Sequence, residues 1–176
     1  GCHILCEKPL AASVKEASEL VEMSQRVKKH LFVDHTFAYT GAVRAIREMY
    51  ASGKLGDLFY VDSVRINLGL FQPDVDVIWD LAPHDLSILS HVIGKKVKSV
   101  KATGSSHNPR KFADVAYLDI EYDGGLTAHL HLSWLSPVKV RRMIFSGTNS
   151  SVIYDDLEMS EKLKVYDHGV TFDVSD

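Results

Sequence analysis

The spacing of hydrophobic positions changes character once along this chain. Cys2 to Cys6 is a short apolar run that predicts a strand and stops at Glu7-Lys8-Pro9. Ser13 followed by Glu16 is a capping box, and Val14, Ala17, Leu20, Val21 and Val27 then recur at helical spacing. Lys28-Lys29-His30 places cations where a helix C-terminus favours them, and Leu31-Phe32-Val33 predicts the next strand. Strand, helix and strand in so short a stretch form a βαβ unit with parallel strands. A second helix is predicted from about Thr40 to Ser52, with Ala42, Ile46 and Met49 on one face and Gly53 as its C-cap. Leu58 to Leu68 reads as a long strand and 69–78 as a loop. A third helix is expected from near Asp80 to Ile93-Gly94, with Pro83 in a first turn that donates no intrahelical hydrogen bonds.

Beyond Gly94 the period falls to two. Val97–Ala102, Val115–Tyr122, Leu126–Trp134, Val140–Ser146, Ser151–Tyr154, Leu163–Tyr166 and Val170–Val174 all read as strands. Asp123-Gly124-Gly125 and Asp167-His168-Gly169 have hairpin-turn chemistry. The expected architecture is therefore α+β: a mostly antiparallel open sheet with helices on one face, preceded by a terminal βαβ piece of a parallel α/β domain. The boundary is expected near residue 36, giving units 1–36 and 37–176.

Composition narrows the function classes. The 176 residues are 45% hydrophobic and 24% charged, with 20 Lys+Arg against 23 Asp+Glu, which excludes collagen, coiled coil and disorder. A net charge of −3 gives the chain no general attraction for nucleic acid or an anionic membrane. No stretch approaches the roughly 20 apolar residues of a membrane helix. The opening Gly1-Cys2-His3-Ile4-Leu5 lacks a basic region, a cleavage site and an initiator Met, so a piece of a longer chain is expected. Cys2 and Cys6 fall on one predicted strand, about 13 Å apart, too far for a disulfide. Two lone thiols indicate a reducing compartment, and the expected location is cytoplasmic.

Three places offer chemistry. Lys8 follows the first strand, at the carboxyl end where open α/β sheets bind ligands, and Pro9 restricts it to an extended conformation. It could polarise a hydroxyl or carbonyl; the alternative is a solvated loop lysine. Asp80 and His84 are four apart and share a helix face, a spacing suited to a general acid/base pair. There a carboxylate would favour the charged ring and fix its tautomer. The alternative makes Asp80 an N-cap and His84 a half-buried structural histidine. His129 and His131 share one face of a strand, a spacing that can bind metal, although no matching Cys or Glu cluster accompanies them. A polar sheet face packed on a partner subunit is the preferred reading, and no metal is assigned. The sequence contains no G-x-G-x-x-G, no P-loop, no G-x-S-x-G and no H-E-x-x-H.

Taken in order, these segments resemble the Gfo/Idh/MocA oxidoreductases, the family of glucose–fructose oxidoreductase and inositol dehydrogenase. The resemblance rests on Gly1 through Leu10 with its Glu7-Lys8-Pro9 triplet, and on Ile46 through Ser52-Gly53-Lys54-Leu55-Gly56-Asp57. It extends to Asp80-Leu81-Ala82-Pro83-His84-Asp85, Ser133-Trp134 and Phe145-Ser146-Gly147-Thr148. It implies a Rossmann-type nucleotide-binding domain around Glu7-Lys8-Pro9 followed by a substrate and oligomerisation domain. The opening strand, glycine-rich turn and ribose-binding acid of that fold have no counterpart here. The chain is accordingly expected to be a fragment that binds NAD or NADP poorly alone, lacking the helix N-terminus for the pyrophosphate.

Residue by residue, the resemblance implies that Lys8 touches the reacting hydroxyl and His84 takes its proton. Asp80 would orient His84 or the substrate, and Glu7 and Pro9 would lie near the nicotinamide ribose, with the bond before the proline often cis in relatives. The wording Asp-Leu-Ala-Pro-His-Asp, followed by Leu86-Ser87-Ile88-Leu89, is most similar to the branch acting on nucleotide-linked sugars. Arg141 and Arg142 could meet a diphosphate there, the alternative being a solvent-facing strand edge. The expected partners are a small sugar substrate and further copies of the same chain. Two rivals stand beside the enzyme reading: a non-catalytic module that self-associates through the face bearing His129 and His131, and a hydrolase with metal on Asp80, His84 and one strand histidine.

Overall fold

The computed structural model describes residues 1–69, 71–109 and 111–167. The chain begins with a two-stranded parallel sheet: β1 (Ile4–Cys6) pairs with β2 (Leu31–Val33) across helix α1 (Val14–Arg26). Ser13 caps α1 by accepting the Glu16 N–H at 3.2 Å. Cys2 lies just before β1 rather than on it, and both cysteines are free. The strand is shorter than the apolar run because a three-residue partner is all that β2 offers it.

A 3-10 turn at Thr36–Tyr39 leads into α2 (Gly41–Ala51), whose Val43 and Ile46 are buried. The long strand β3 (Leu58–Leu68) follows, then α3 (Val77–Ile93). Helix α3 starts three residues before the sequence expectation, because Asp76 caps it by accepting the Trp79 N–H at 2.8 Å. Pro83 therefore sits inside the helix instead of in its first turn. It has no N–H to give the carbonyl of Trp79, and its ring crowds that carbonyl.

The remaining strands are β4 (Val97–Ser105), β5 (Val115–Tyr122), β6 (Thr127–Ser133), β7 (Leu135–Gly147), β8 (Ser150–Asp155) and β9 (Leu163–Asp167). They join β3 in a seven-stranded sheet of order β4-β5-β6-β3-β7-β8-β9. Only the β3–β6 pairing is parallel; the five others are antiparallel. Gly124 and Gly125, with φ of 88° and 83°, close the β5–β6 hairpin as its sequence implied. The strand and turn expected at 168–174 lie outside the described residues.

The core forms between α2, α3 and one face of the sheet. Alternation supplies it: Ala128, Leu130 and Leu132 of β6, Leu118 and Ile120 of β5, and Met143 and Phe145 of β7 all point to the helices. Gly56 joins the α2–β3 turn to the β7–β8 hairpin. Its φ is 71°, and a Cβ there would meet the Thr148 hydroxyl at 2.0 Å. No helix among the described residues is long and apolar enough to cross a membrane.

Candidate active site

The carboxyl end of β1 meets the first turns of α3 at a single ion pair. Past β1 the chain turns through a cis Lys8–Pro9 peptide bond. Lys8 Nζ donates to Asp80 Oδ1 at 2.8 Å and to the Asp80 backbone carbonyl at 2.6 Å. Both side chains are largely buried, at 15% and 16% exposure, so water competes little for the pair. Two of the three ammonium protons are thereby committed, leaving one for a ligand. The other Asp80 oxygen accepts the Trp134 indole N–H at 3.1 Å, at the end of β6. A second tie crosses the same seam: Trp79 Nε1 donates to the Ala11 carbonyl at 2.8 Å.

His84 follows Asp80 by one turn on the same side of α3. Its ring stands edge-on to Phe37 of the 3-10 turn, with centroids 5.0 Å apart and planes at 81°. Its Nδ1 is buried and has no hydrogen-bond partner among the described residues. The expected Asp80–His84 pairing is corrected here: the carboxylate spends its oxygens on Lys8 and Trp134. The expected direction of the ring's titration is corrected with it. Burial first, then Arg65, Lys8 and Arg141, push the imidazole from its ordinary 6.5 down to about 3, against a smaller upward effect of Asp80. His84 is therefore neutral at physiological pH, with a lone pair available for a proton.

The two arginines come from facing positions on neighbouring strands, Arg65 on β3 and Arg141 on β7. Both lie over Phe37, with guanidinium carbons 4.8 and 5.7 Å from the ring centroid. Arg65 is buried and held by Asp85, whose carboxylate accepts its Nε at 2.7 Å and lies 2.6 Å from its Nη2; Ser63 Oγ donates to the same carboxylate at 3.0 Å. Arg141 is about one-third exposed and reaches Asp156 at 3.3 Å.

Of the residues expected at the site, Lys8, Asp80, His84 and Arg141 come together. Lys8 and Pro9 are half-buried and Glu7 is exposed, all at the carboxyl end of the parallel pair β1–β2, the side on which such sheets take ligands. Arg142 does not join them. It points to the opposite face of β7 and meets Asp155 at 3.3 Å, so the two arginines cannot grip one diphosphate. Nor is β7 an edge, since it runs between β3 and β8.

His129 and His131 also face away from the helices. Both stack on Tyr117, at 6.0 and 4.6 Å, and His129 Nδ1 lies 2.7 Å from Asp119. The sheet separates them from Asp80 and His84, which removes the three-ligand metal reading. Among the described residues no group of three or more His, Cys, Asp or Glu is placed to hold a metal.

Phe37 and Arg65 were not anticipated, and Asp85 and Trp134 were quoted in the resemblance without a role. A signal for Arg65 exists in the alternation of β3, which turns Val61, Ser63 and Arg65 inward, a charge at a core position. A cavity of about 720 Å³ opens along the adjoining stripe of α3, lined by His35, Tyr39, Arg47, Pro83, Ser90 and His91 among others. Neither Lys8, Asp80 nor His84 borders it, so the candidate site rests on the side-chain cluster.

Comparison with known proteins identifies the family. Residues 43–153 match the GFO/IDH/MocA C-terminal domain, and residues 1–35 match the oxidoreductase family with an NAD-binding Rossmann fold. The UDP-N-acetylglucosamine 3-dehydrogenase of Acidithiobacillus ferrooxidans is 28% identical over 174 residues, covering 96% of this chain and 52% of that protein. A solved structure of that enzyme superposes with a TM-score of 0.79, covering 99% of this chain and 55% of the other. An inositol dehydrogenase homologue from Azotobacter vinelandii, solved with NADH and myo-inositol, shares the fold at a TM-score of 0.80 and 21% identity, covering 97% of this chain and 51% of the other. The chain thus spans about half the length of these relatives.

Proposed function

The chain belongs to the GFO/IDH/MocA oxidoreductase family, and from that premise we propose that the protein uses NAD or NADP to oxidise a sugar hydroxyl or reduce the corresponding ketone. The observation that carries this reading is the Lys8–Asp80 pair, one helical turn from a neutral imidazole whose buried Nδ1 has no partner among the described residues. Lys8 has an N–H left for the reacting oxygen, and its charge stabilises the alkoxide character that develops there. His84 accepts the hydroxyl proton in oxidation and returns it in reduction. An imidazole held near 3 is a weak base alone; the ammonium compensates by making the hydroxyl more acidic. Asp80 fixes Lys8 and sets its direction.

Glu7, Lys8 and Pro9 would hold the nicotinamide side of the cofactor. They fit it by position, at the carboxyl end of β1–β2, and by the free donor of a desolvated ammonium. When bound, the cofactor supplies or accepts the hydride. The UDP-N-acetylglucosamine relative favours a nucleotide-linked sugar, with Arg141, half-buried beside the cluster, as a substrate contact. We further infer a cytoplasmic homo-oligomer formed through the outward sheet face, where Tyr117 (40% exposed) and His129 stack. That same face would serve the rival reading of a binding module without turnover.

The test is to titrate NADH and NADPH into the native protein and follow nicotinamide fluorescence, then to assay NAD(P)-dependent oxidation of UDP-N-acetyl sugars beside free hexoses and cyclitols. Cofactor binding with turnover of the UDP-sugars is expected. Binding with turnover of free sugars alone would overturn the nucleotide-sugar assignment. Absence of cofactor binding would overturn the oxidoreductase reading and leave the module.

A further inference from the structure

Arg65 carries a charge where a strand ordinarily buries an apolar side chain. It is 4% exposed and its partner Asp85 is 1% exposed. A buried ion pair is seldom a net gain in stability over apolar residues of the same volume, so packing alone does not account for it. The pair does have a second contact. Asp85 takes Nε and Nη2, while Nη1 has no hydrogen-bond acceptor among the described residues. The guanidinium instead lies over the Phe37 ring at 4.8 Å, a face that attracts cations. The same ring contacts the His84 imidazole edge-on at 5.0 Å. Asp85 is also the residue after His84, so the helix that carries the imidazole is pinned to β3 through this pair.

Resting on the reading of His84 as the proton acceptor, we propose that Arg65 is a positioning residue for the reaction: anchored by Asp85, it holds Phe37 against the His84 imidazole and so fixes the orientation of that ring. Arg65 touches no reacting atom in this role and acts through Phe37. Arg141 differs, although it shares the ring. It is about one-third exposed and bound only at 3.3 Å to Asp156, which leaves it able to meet a ligand. The ring also explains why His84 keeps its place without a hydrogen bond at Nδ1: its orientation is set by aromatic contact.

The experiment is a double-mutant cycle in the native protein, read as the single-turnover rate of hydride transfer and as KM for each substrate. Arg65→Lys keeps the charge but loses the forked grip on Asp85 and the planar contact with Phe37. We expect it to lower the rate about ten- to a hundredfold by misplacing the ring, with cofactor KM unchanged. In a His84→Asn background the same substitution should cause no further loss. An equal loss in both backgrounds would overturn the proposal, since Arg65 would then not act through His84. A His84→Asn protein with undiminished turnover would overturn the role of His84 itself, and the positioning role with it, a result visible without Arg65. Should Arg65→Lys fail to fold by circular dichroism, Phe37→Leu enters the same cycle, where non-additivity with His84→Asn supports the proposal and additivity overturns it.

Discussion

Helices α1 and α3 both present an apolar stripe, yet α1 buries no residue and α3 buries seven. The same contrast extends to the units that contain them. Strands β1 and β2 have no buried position, and Leu5, Val14 and Phe32 are 75%, 71% and 59% exposed. The α+β unit packs its alternating strands and two helices into one continuous core. Amphipathic spacing marks a face that calls for a partner; among the described residues α3 finds one in the sheet and α1 does not. The βαβ unit attaches to the rest through polar ties instead, Lys8 to Asp80 and Trp79 to Ala11. The candidate site lies along that seam: one unit contributes the ammonium, the other the imidazole and the rigid scaffold.

Four measurements break or sharpen this contrast. The largest effect is expected from Asp85→Ala, which leaves the buried Arg65 charge unpaired at 4% exposure. It should destabilise the α+β unit by about 3–5 kcal/mol in urea unfolding; a change within error would mean that the pair is not part of that core. Next, Lys8→Ala should lower turnover of the native protein about 10²–10³-fold while far-UV circular dichroism stays the same. An unchanged turnover number would take Lys8 out of the mechanism and leave the βαβ unit without a chemical part.

A matched pair of truncations comes third. Leu130→Ala, at a position with no exposure, should cost about 3 kcal/mol, since a cavity opens in the core. Leu20→Ala on the 43% exposed stripe of α1 should stay within about 0.5 kcal/mol. Equal costs would show that α1 is buried in solution against something. A fourth measurement reads the pH dependence carried by His84, whose imidazole is held at about 3 in the fold against an ordinary 6.5. Because the folded value is the lower one, the unfolded chain binds the extra proton as pH falls. The His84 contribution to stability is present above about 6.5, declines between 6.5 and 3, and levels off below. His84→Gln should flatten the urea midpoint over that window; an unaltered slope would mean that the ring titrates normally.

Much of this was legible in the chain. Val115–Tyr122 and Leu58–Leu68 were readable as strands to the residue, because strict alternation and turn glycines leave little choice of register. Lys8, Asp80 and His84 were readable as a set through the family wording. The partners were not. Spacing four apart put Asp80 beside His84, but nothing local told that a tryptophan 54 positions on and a lysine 72 positions back would take its oxygens. The helix start shifted for a similar reason, since Asp76 offered an equally good cap further upstream.

Sequence by itself determined which segments are strands and helices, which face of each is apolar, and which side chains can carry or accept a proton. These follow from backbone periodicity and side-chain chemistry, both local properties. Only the tertiary structure decided that the described residues cover α3's apolar face and not α1's, that Arg141 turns inward and Arg142 outward, and that Phe37 meets the imidazole while Arg65, held by Asp85, lies over the same Phe37 ring. Those outcomes depend on the order of strands in the sheet and on the exclusion of water around His84, and both arise from contacts between residues far apart along the chain.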